Sequence, residues 1–330
     1  MAGINHITTK IFALKPIQWF IRLSKKLSIP GFQGIPIYDV VRFFSQQMQH
    51  VGLNERAASI SFNFLLAIPP LAIVLFTILS HLPWAEDLYE QALLLTKRIA
   101  PTPSTYEIIK SVIDDFFKPD GSLISIGLIV AIFFSSNAMI TIMRTFDKSM
   151  LHIEIEKRNF LEVRFDAIKL TVLIILIIVA TMLILMTQGT LLEYIRQQMN
   201  INDKSYNWIV EIVRFSVTFL MIFYGVAFIY KFAPSVRKKW KLISPGAILS
   251  TLMIIGFTYL FSIWVNNFAS YNKVYGSLGS LLILMLLVFF NSLVLLIGFE
   301  LNVSINSLQS LARKREMDAS NPPPADPTTA

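Results

Sequence analysis

The sequence predicts an all-α polytopic membrane protein, with six transmembrane helices, an amphipathic N-terminal interfacial helix and a small helical outer loop. Three observations predict it. Hydrophobic residues make up 54% of the 330-residue chain and charged residues 15%, against roughly 25% charged in a soluble domain. Six apolar windows reach the length of about 20 residues that a helix needs to cross hydrocarbon roughly 30 Å thick. These windows are continuous rather than alternating in polarity, which points away from an outer-membrane barrel and to helices, whose backbone bonds are satisfied internally.

Three regions follow along the chain. Residues 1–34 are basic, close on Pro30, Gly31 and Gly34, and read as a loosely structured cytoplasmic arm. Their apolar stretch IFALKPIQWFI is short, broken by Lys15 and Pro16 and without a small-residue cleavage pattern, so no cleaved signal peptide is expected. Residues 35–310 form the transmembrane domain. It opens on DVVRFFSQQMQHVG, where Val40, Val41, Phe44, Met48 and Val51 gather at helical spacing. This predicts a helix lying on the inner surface, or a plain lead-in to the first span. The spans run over about 57–80, 122–143, 167–187, 209–230, 244–268 and 277–300. Between the first two, residues 81–121 hold seven acids and four bases. PWAEDLYEQALLLTKRIA and PSTYEIIKSVIDDFFKPDG there read as two short capped helices over the outer ends of the bundle. Residues 311–330, ending in SNPPPADPTTA, read as a disordered tail.

The formal charge of +8 invites a nucleic-acid reading until its distribution is traced. Twenty of the 29 Lys and Arg fall on one side of the predicted bundle: the N-terminal segment, the second and fourth connections and the tail. Seven fall on the other side, and Lys169 and Arg214 lie within spans. The positive-inside rule then places both termini in the cytoplasm and explains the basicity without nucleic acid. The chain has no cysteine, so no disulfide or thiolate site is expected. Its histidines, His6, His50, His81 and His152, are scattered, and no hydrolase, phosphate-loop or metal-ligand motif occurs. No enzyme activity, metal or cofactor is predicted. Asp114 with Asp115 is the one acidic pair of note, and it reads as a solvated helix face.

Polar groups inside the spans carry the functional signal, because they are costly against lipid. Ser59, Asn63, Ala67 and Pro70 fall within an arc of about 80°, ending at the Pro69-Pro70 pair. Asn137, Thr141, Arg144 and Lys148 fall within about 60°. Thr251, Thr258, Ser262 and Asn266 form a stripe on the fifth span, and Asn291, Gly298 and Asn302 one on the sixth. Such faces either line a hydrated route or join helix to helix; both readings stand. Glu300 lies opposite Asn291 and Asn302 on its helix and is expected to pair with Arg144, with Lys169 as another candidate. In the outer hairpin SYNKVYGSLGS, Tyr271 and Tyr275 suit the headgroup level. Gly276 and Gly279 allow a tight turn and close helix approach. Asn272 and Ser277 would satisfy freed backbone groups or touch a substrate.

Several segments together resemble the YihY/BrkB membrane proteins, a family that formerly carried the label ribonuclease BN. They are AASISFNFLLAIPPL, NAMITIMRTFDKSM followed by EKRNFLEVRFDAIKLTV, YKFAPSVRKKWKLISPGA, SYNKVYGSLGS and GFELN. The resemblance covers roughly residues 40–310, with Asp147 and the Pro69-Pro70 pair as departures. It implies a six-helix inner-membrane protein of bacteria, implicated in transport, envelope integrity, serum resistance or lipid handling. The expectation is a transporter of a lipid-like or other envelope component, with a structural, envelope-integrity protein as the alternative and a ribonuclease disfavoured. Membrane lipids are the expected partners, without nucleic acid. Self-association and the substrate are left open.

Overall fold

A computed structural model of the chain describes residues 22–25, 27–29, 31–50, 52–81, 85–99, 123–150, 155–199, 203–237, 239–267 and 277–320, with single positions at 153 and within 106–114. Among them are eight named helices: α1 (Ile37–His50), α2 (Leu53–Leu79), α3 (Ala85–Ile99), α4 (Leu123–Asp147), α5 (Phe160–Met199), α6 (Asp203–Phe232), α7 (Pro245–Asn267) and α8 (Ser277–Ser320). Their starts are written locally. The Asn159 amide donates to Glu162 Oε2 at 2.7 Å, half of a capping box at the head of α5. Ser244 Oγ accepts from the Ala247 amide at 3.3 Å, ahead of Pro245 at the first position of α7.

Five of these helices carry stretches long and apolar enough to cross a membrane: Leu128–Asp147, Phe160–Leu185, Tyr206–Phe232, Pro245–Val265 and Leu281–Met317. The protein is a polytopic all-α membrane protein. The remaining expected run lies in α2, which stays helical through Pro69 and Pro70 for 27 residues, about 40 Å at 1.5 Å per residue.

These six helices pack in chain order, α2 on α4, α4 on α5, α5 on α6, α6 on α7 and α7 on α8, and the cycle closes where α8 meets α2. We call the base the end where Leu53, Asp147, Phe160, Phe232 and Pro245 gather. Two helices run well past the expected span limits. α5 has 40 residues and α8 has 44; the latter is about 66 Å long, twice the hydrocarbon thickness. Helix therefore continues through Ser320, where the sequence suggested a disordered tail from 311. LARKREMDA is made of strong helix formers, which explains the extension. α1 forms over the expected stretch and packs on α8, with Val40 buried together with Phe32 and Ile305. Val41, assigned to the same apolar face, is instead exposed. Beyond the opposite end, α3 supplies the first of the two expected outer helices. Tyr89 on α3 donates to Asp114 Oδ1 at 2.6 Å. That bond ties α3 to the helical positions between 106 and 114 and holds the Tyr89 hydroxyl above its ordinary pKa.

Candidate functional site

All six helices of the ring contribute to one buried cluster at the base. At its centre Phe299 of α8 stacks on Phe146 of α4, with ring centroids 3.6 Å apart and planes 6° from parallel. Tyr230 of α6 lies 5.8 Å from Phe299 and Trp240 lies 5.4 Å from it. Three helices that are not neighbours in the ring thus meet through aromatic rings. The Tyr230 hydroxyl donates to the Leu295 carbonyl at 2.6 Å and shares a 2.6 Å bond with Ser250 Oγ, as a buried phenol requires. The crossing of α7 and α8 depends on two glycines. A Cβ on Gly298 would lie 1.9 Å from Ser250 Oγ and one on Gly246 would lie 2.0 Å from the Gly298 carbonyl.

Beside this aromatic plug sits an ion pair. Arg56 Nη1, at the start of α2, donates to Glu300 Oε1 at 3.0 Å, with side-chain exposures of 11% and 0%. Arg56 Nη2 donates to the Thr145 carbonyl and to Ser149 Oγ, and Ser149 in turn donates to Glu300 Oε1. A buried charge pair of this kind persists only with good geometry and added hydrogen bonds, which Ser149 and Thr145 provide. The connections below are stitched in the same way. Asp147 accepts from the Ser235 amide at 2.9 Å and from its hydroxyl at 2.6 Å. Arg158 donates to the carbonyls of Ala233 and Pro234, and residues 155 and 236 form a β-bridge.

The far half differs. Eighteen residues are five helical turns, so positions 18 apart share a face. On α8, Phe299, Glu300 and Val303 are buried, while Leu281, Leu282 and Met285, on the same face, are exposed. On α6, Val226 and Tyr230 are buried while Trp208 and Ile212 are exposed. On α7, Thr251 is 0% exposed, whereas Thr258 and Ser262 on that stripe are exposed. α2, α4 and α5 behave otherwise, keeping a second core of Val74, Ala131, Ile175 and Val179. Among the described side chains the ring is closely packed at the base, and the same faces of α6–α8 are exposed farther along.

The predicted residues distribute over this frame. Glu300 and Asn302 are buried. Asn302 accepts from the Gly246 amide and donates to Ser244 Oγ, each at 2.9 Å. Asn137 accepts from Arg164 Nη1 at 2.9 Å, and Thr141 donates back to the Asn137 carbonyl at 3.1 Å. Asn63 is half-buried and bonds the Ser59 carbonyl of its own helix. Asn291 is half-buried, with its Oδ1 buried and without a partner among the described residues. Gly279 is buried in the first turn of α8, and Ser262 is exposed. Tyr271, Asn272, Tyr275 and Gly276 lie outside the described residues, as does the side chain of Asn266.

One expectation is corrected. Glu300 pairs with Arg56, not with Arg144, which is exposed on α4, nor with Lys169, which lies 3.4 Å from Asp166. In the ring the backbone neighbours of α8 are α7 and α2, so the cation Glu300 meets is the one heading α2. Sequence reasoning also passed over Phe146, Tyr230, Phe299 and Ser149. The aromatics sit in apolar runs like any other core residue and carried no signal. Ser149 lies in a connection.

Comparison with known proteins now settles the family. The family described as "Virulence factor BrkB" matches residues 44–322. The chain belongs to the BrkB family. A "Putative ribonuclease-like protein YfkH" of Bacillus subtilis (strain 168) is 26% identical over 270 residues, covering 81% of this chain and 95% of that protein. A UPF0761 membrane protein of Tolumonas auensis is 24% identical over 272 residues, covering 81% and 85% of the two chains. One of Psychrobacter sp. is 24% identical over 283 residues, covering 82% of this chain and 50% of its own. No solved structure matches.

Proposed function

We propose that this BrkB-family protein is a non-enzymatic, six-span transporter of a lipid-like or other amphiphilic envelope component in the bacterial inner membrane. Both termini, and with them the base, are cytoplasmic. One observation carries the proposal: helix faces buried at the base become exposed, apolar and serine- or threonine-bearing in the far half of α6–α8. Exposed helix faces that are apolar and carry small polar groups suit an amphiphile. Asn63, Asn137, Asn291 and Glu300 are the polar groups assigned to the route or its closure. Cation sidedness supports the orientation. The ribonuclease wording attached to the Bacillus relative is not carried over, since cation sidedness accounts for the basicity without nucleic acid.

The absence of native cysteine makes the test direct. Single cysteines at Leu282, Met285 and Ser262 should react with a membrane-impermeant maleimide added from the periplasmic side, and cysteines at Val303 and Thr251 should not. Protection of the first three in the functional protein would mean that lipid or a second copy covers this face, and the transport route would be abandoned.

A further inference from the structure

We propose that a basic cleft at the base binds a phosphate-bearing anionic headgroup, at a site separate from the exposed far faces of α6–α8. The cavity, of about 1300 Å³, lies between the α6–α7 connection, the start of α7 and the C-terminal half of α8. Arg237, Lys239 and Lys241 enter from the connection, and Arg313 and Lys314 from α8; no carboxylate lines the cavity. Among the described residues none of these five cations forms an ion pair. Like charges facing one concavity raise the local potential and concentrate anions there.

Three further features narrow the ligand. The positive end of α7 opens on the cleft at Pro245, favouring negative charge. Its first amides are already held by Asn302 and Ser244, so the helix end contributes its field, and the cations supply the donors. Asn302, Asn306, Gln309 and Arg313 follow one another at the spacing of a single helix face; the amides of Asn302 and Asn306 are engaged within the protein, which leaves that of Gln309, among the described residues, beside the charges. Exposed Ile243 and Met317 (67% and 62%) and Trp240 complete an apolar side of the same cavity. Inorganic phosphate would leave most of that volume and all of that apolar surface unused. A lipid headgroup with its glycerol and acyl stem would occupy both, as basic pockets between helices at the cytoplasmic interface do. Burial and the neighbouring Arg158 already hold the Lys239 ammonium below the usual lysine range, a cost an incoming anion would relieve.

The experiment uses the purified full-length chain in neutral detergent, with cardiolipin, phosphatidylglycerol, phosphatidylcholine, glycerol 3-phosphate and a short single-stranded RNA as probes. Binding is read by native mass spectrometry and by the ligand-induced shift in melting temperature. Arg237→Gln/Lys241→Gln/Lys314→Gln should weaken cardiolipin and phosphatidylglycerol by on the order of a hundredfold, a factor of about five per cation at a lipid surface. Lys148→Gln/Lys157→Gln/Lys231→Gln, removing the same charge elsewhere at the base, should leave both unchanged. An unshifted melting temperature of the unliganded cleft variant excludes misfolding as the cause. If glycerol 3-phosphate binds as tightly as the lipids and is lost in the same variant, the phosphate site stands and its source is soluble. Equal losses in both variants, equal affinity for phosphatidylcholine, or saturation by RNA with no anionic-lipid binding would each overturn the proposal.

Discussion

The base and the far half of the ring are built from the same six helices, yet they pack in opposite ways. At the base, aromatic rings from α4, α6 and α8, a buried ion pair and two apposed glycines close the ring. In the far half α2, α4 and α5 stay together, while on α6 and α8 the continuation of the buried faces is exposed. Without a hydrophobic driving force between helices in lipid, close approach depends on small residues and on polar partners. The base has both, in Gly246, Gly298, Ser250, Asn302, Ser149 and Glu300. The far parts of α6–α8 offer long apolar side chains, which are as well solvated by lipid as by one another.

That contrast can be broken most forcefully at the ion pair. Glu300→Ala strands Arg56 in a closed site and should destabilise the protein by about 3–5 kcal/mol, read as unfolding free energy in detergent. Arg56→Met/Glu300→Leu should recover most of the loss, and failure to recover would mean that the charges themselves are required for folding. Next comes the aromatic plug. Phe299→Ala should cost about 3–5 kcal/mol, while Leu281→Ala, five turns away on the same face, should stay within about 0.5 kcal/mol. Equal costs would show that the far half is packed.

The glycines sharpen the contrast at a smaller scale. Gly298→Ala forces Ser250 and the α7 backbone aside and should cost about 1–3 kcal/mol. Gly256→Ala, with nothing within 4 Å of its new methyl group, should stabilise the helix by about 0.5–1 kcal/mol. Lys239 gives the smallest effect. Its proton affinity is lowered in the folded chain, so just below the ordinary lysine pKa the unfolded state binds more protons and stability rises with pH there. NMR titration of dimethylated lysines should show Lys239 deprotonating early, with anionic lipid moving it back up.

Much of the fold was legible in the sequence because membrane solvation acts locally. The windows near α4 to α8 emerged from run length alone, and α1 and α3 from their periodicity. The ends of α5 and α8 were set too short, since hydropathy marks where lipid stops and not where helix stops. The polar stripes were found, but their partners were not. The stripe of Thr251, Thr258 and Ser262 is one pattern in sequence and two environments in space.

The sequence by itself determined the solvent, the helices and the side on which the charges gather, since each is a property of neighbouring residues summed along the chain. Tertiary structure alone decided that Glu300 meets Arg56, 244 residues away, that Phe299 rests on Phe146, and that five cations face one cleft. Those contacts depend on which helices are neighbours in the ring and how each is rotated. Both are set by the close crossing of backbones at a few small residues, a condition that no one-dimensional pattern contains.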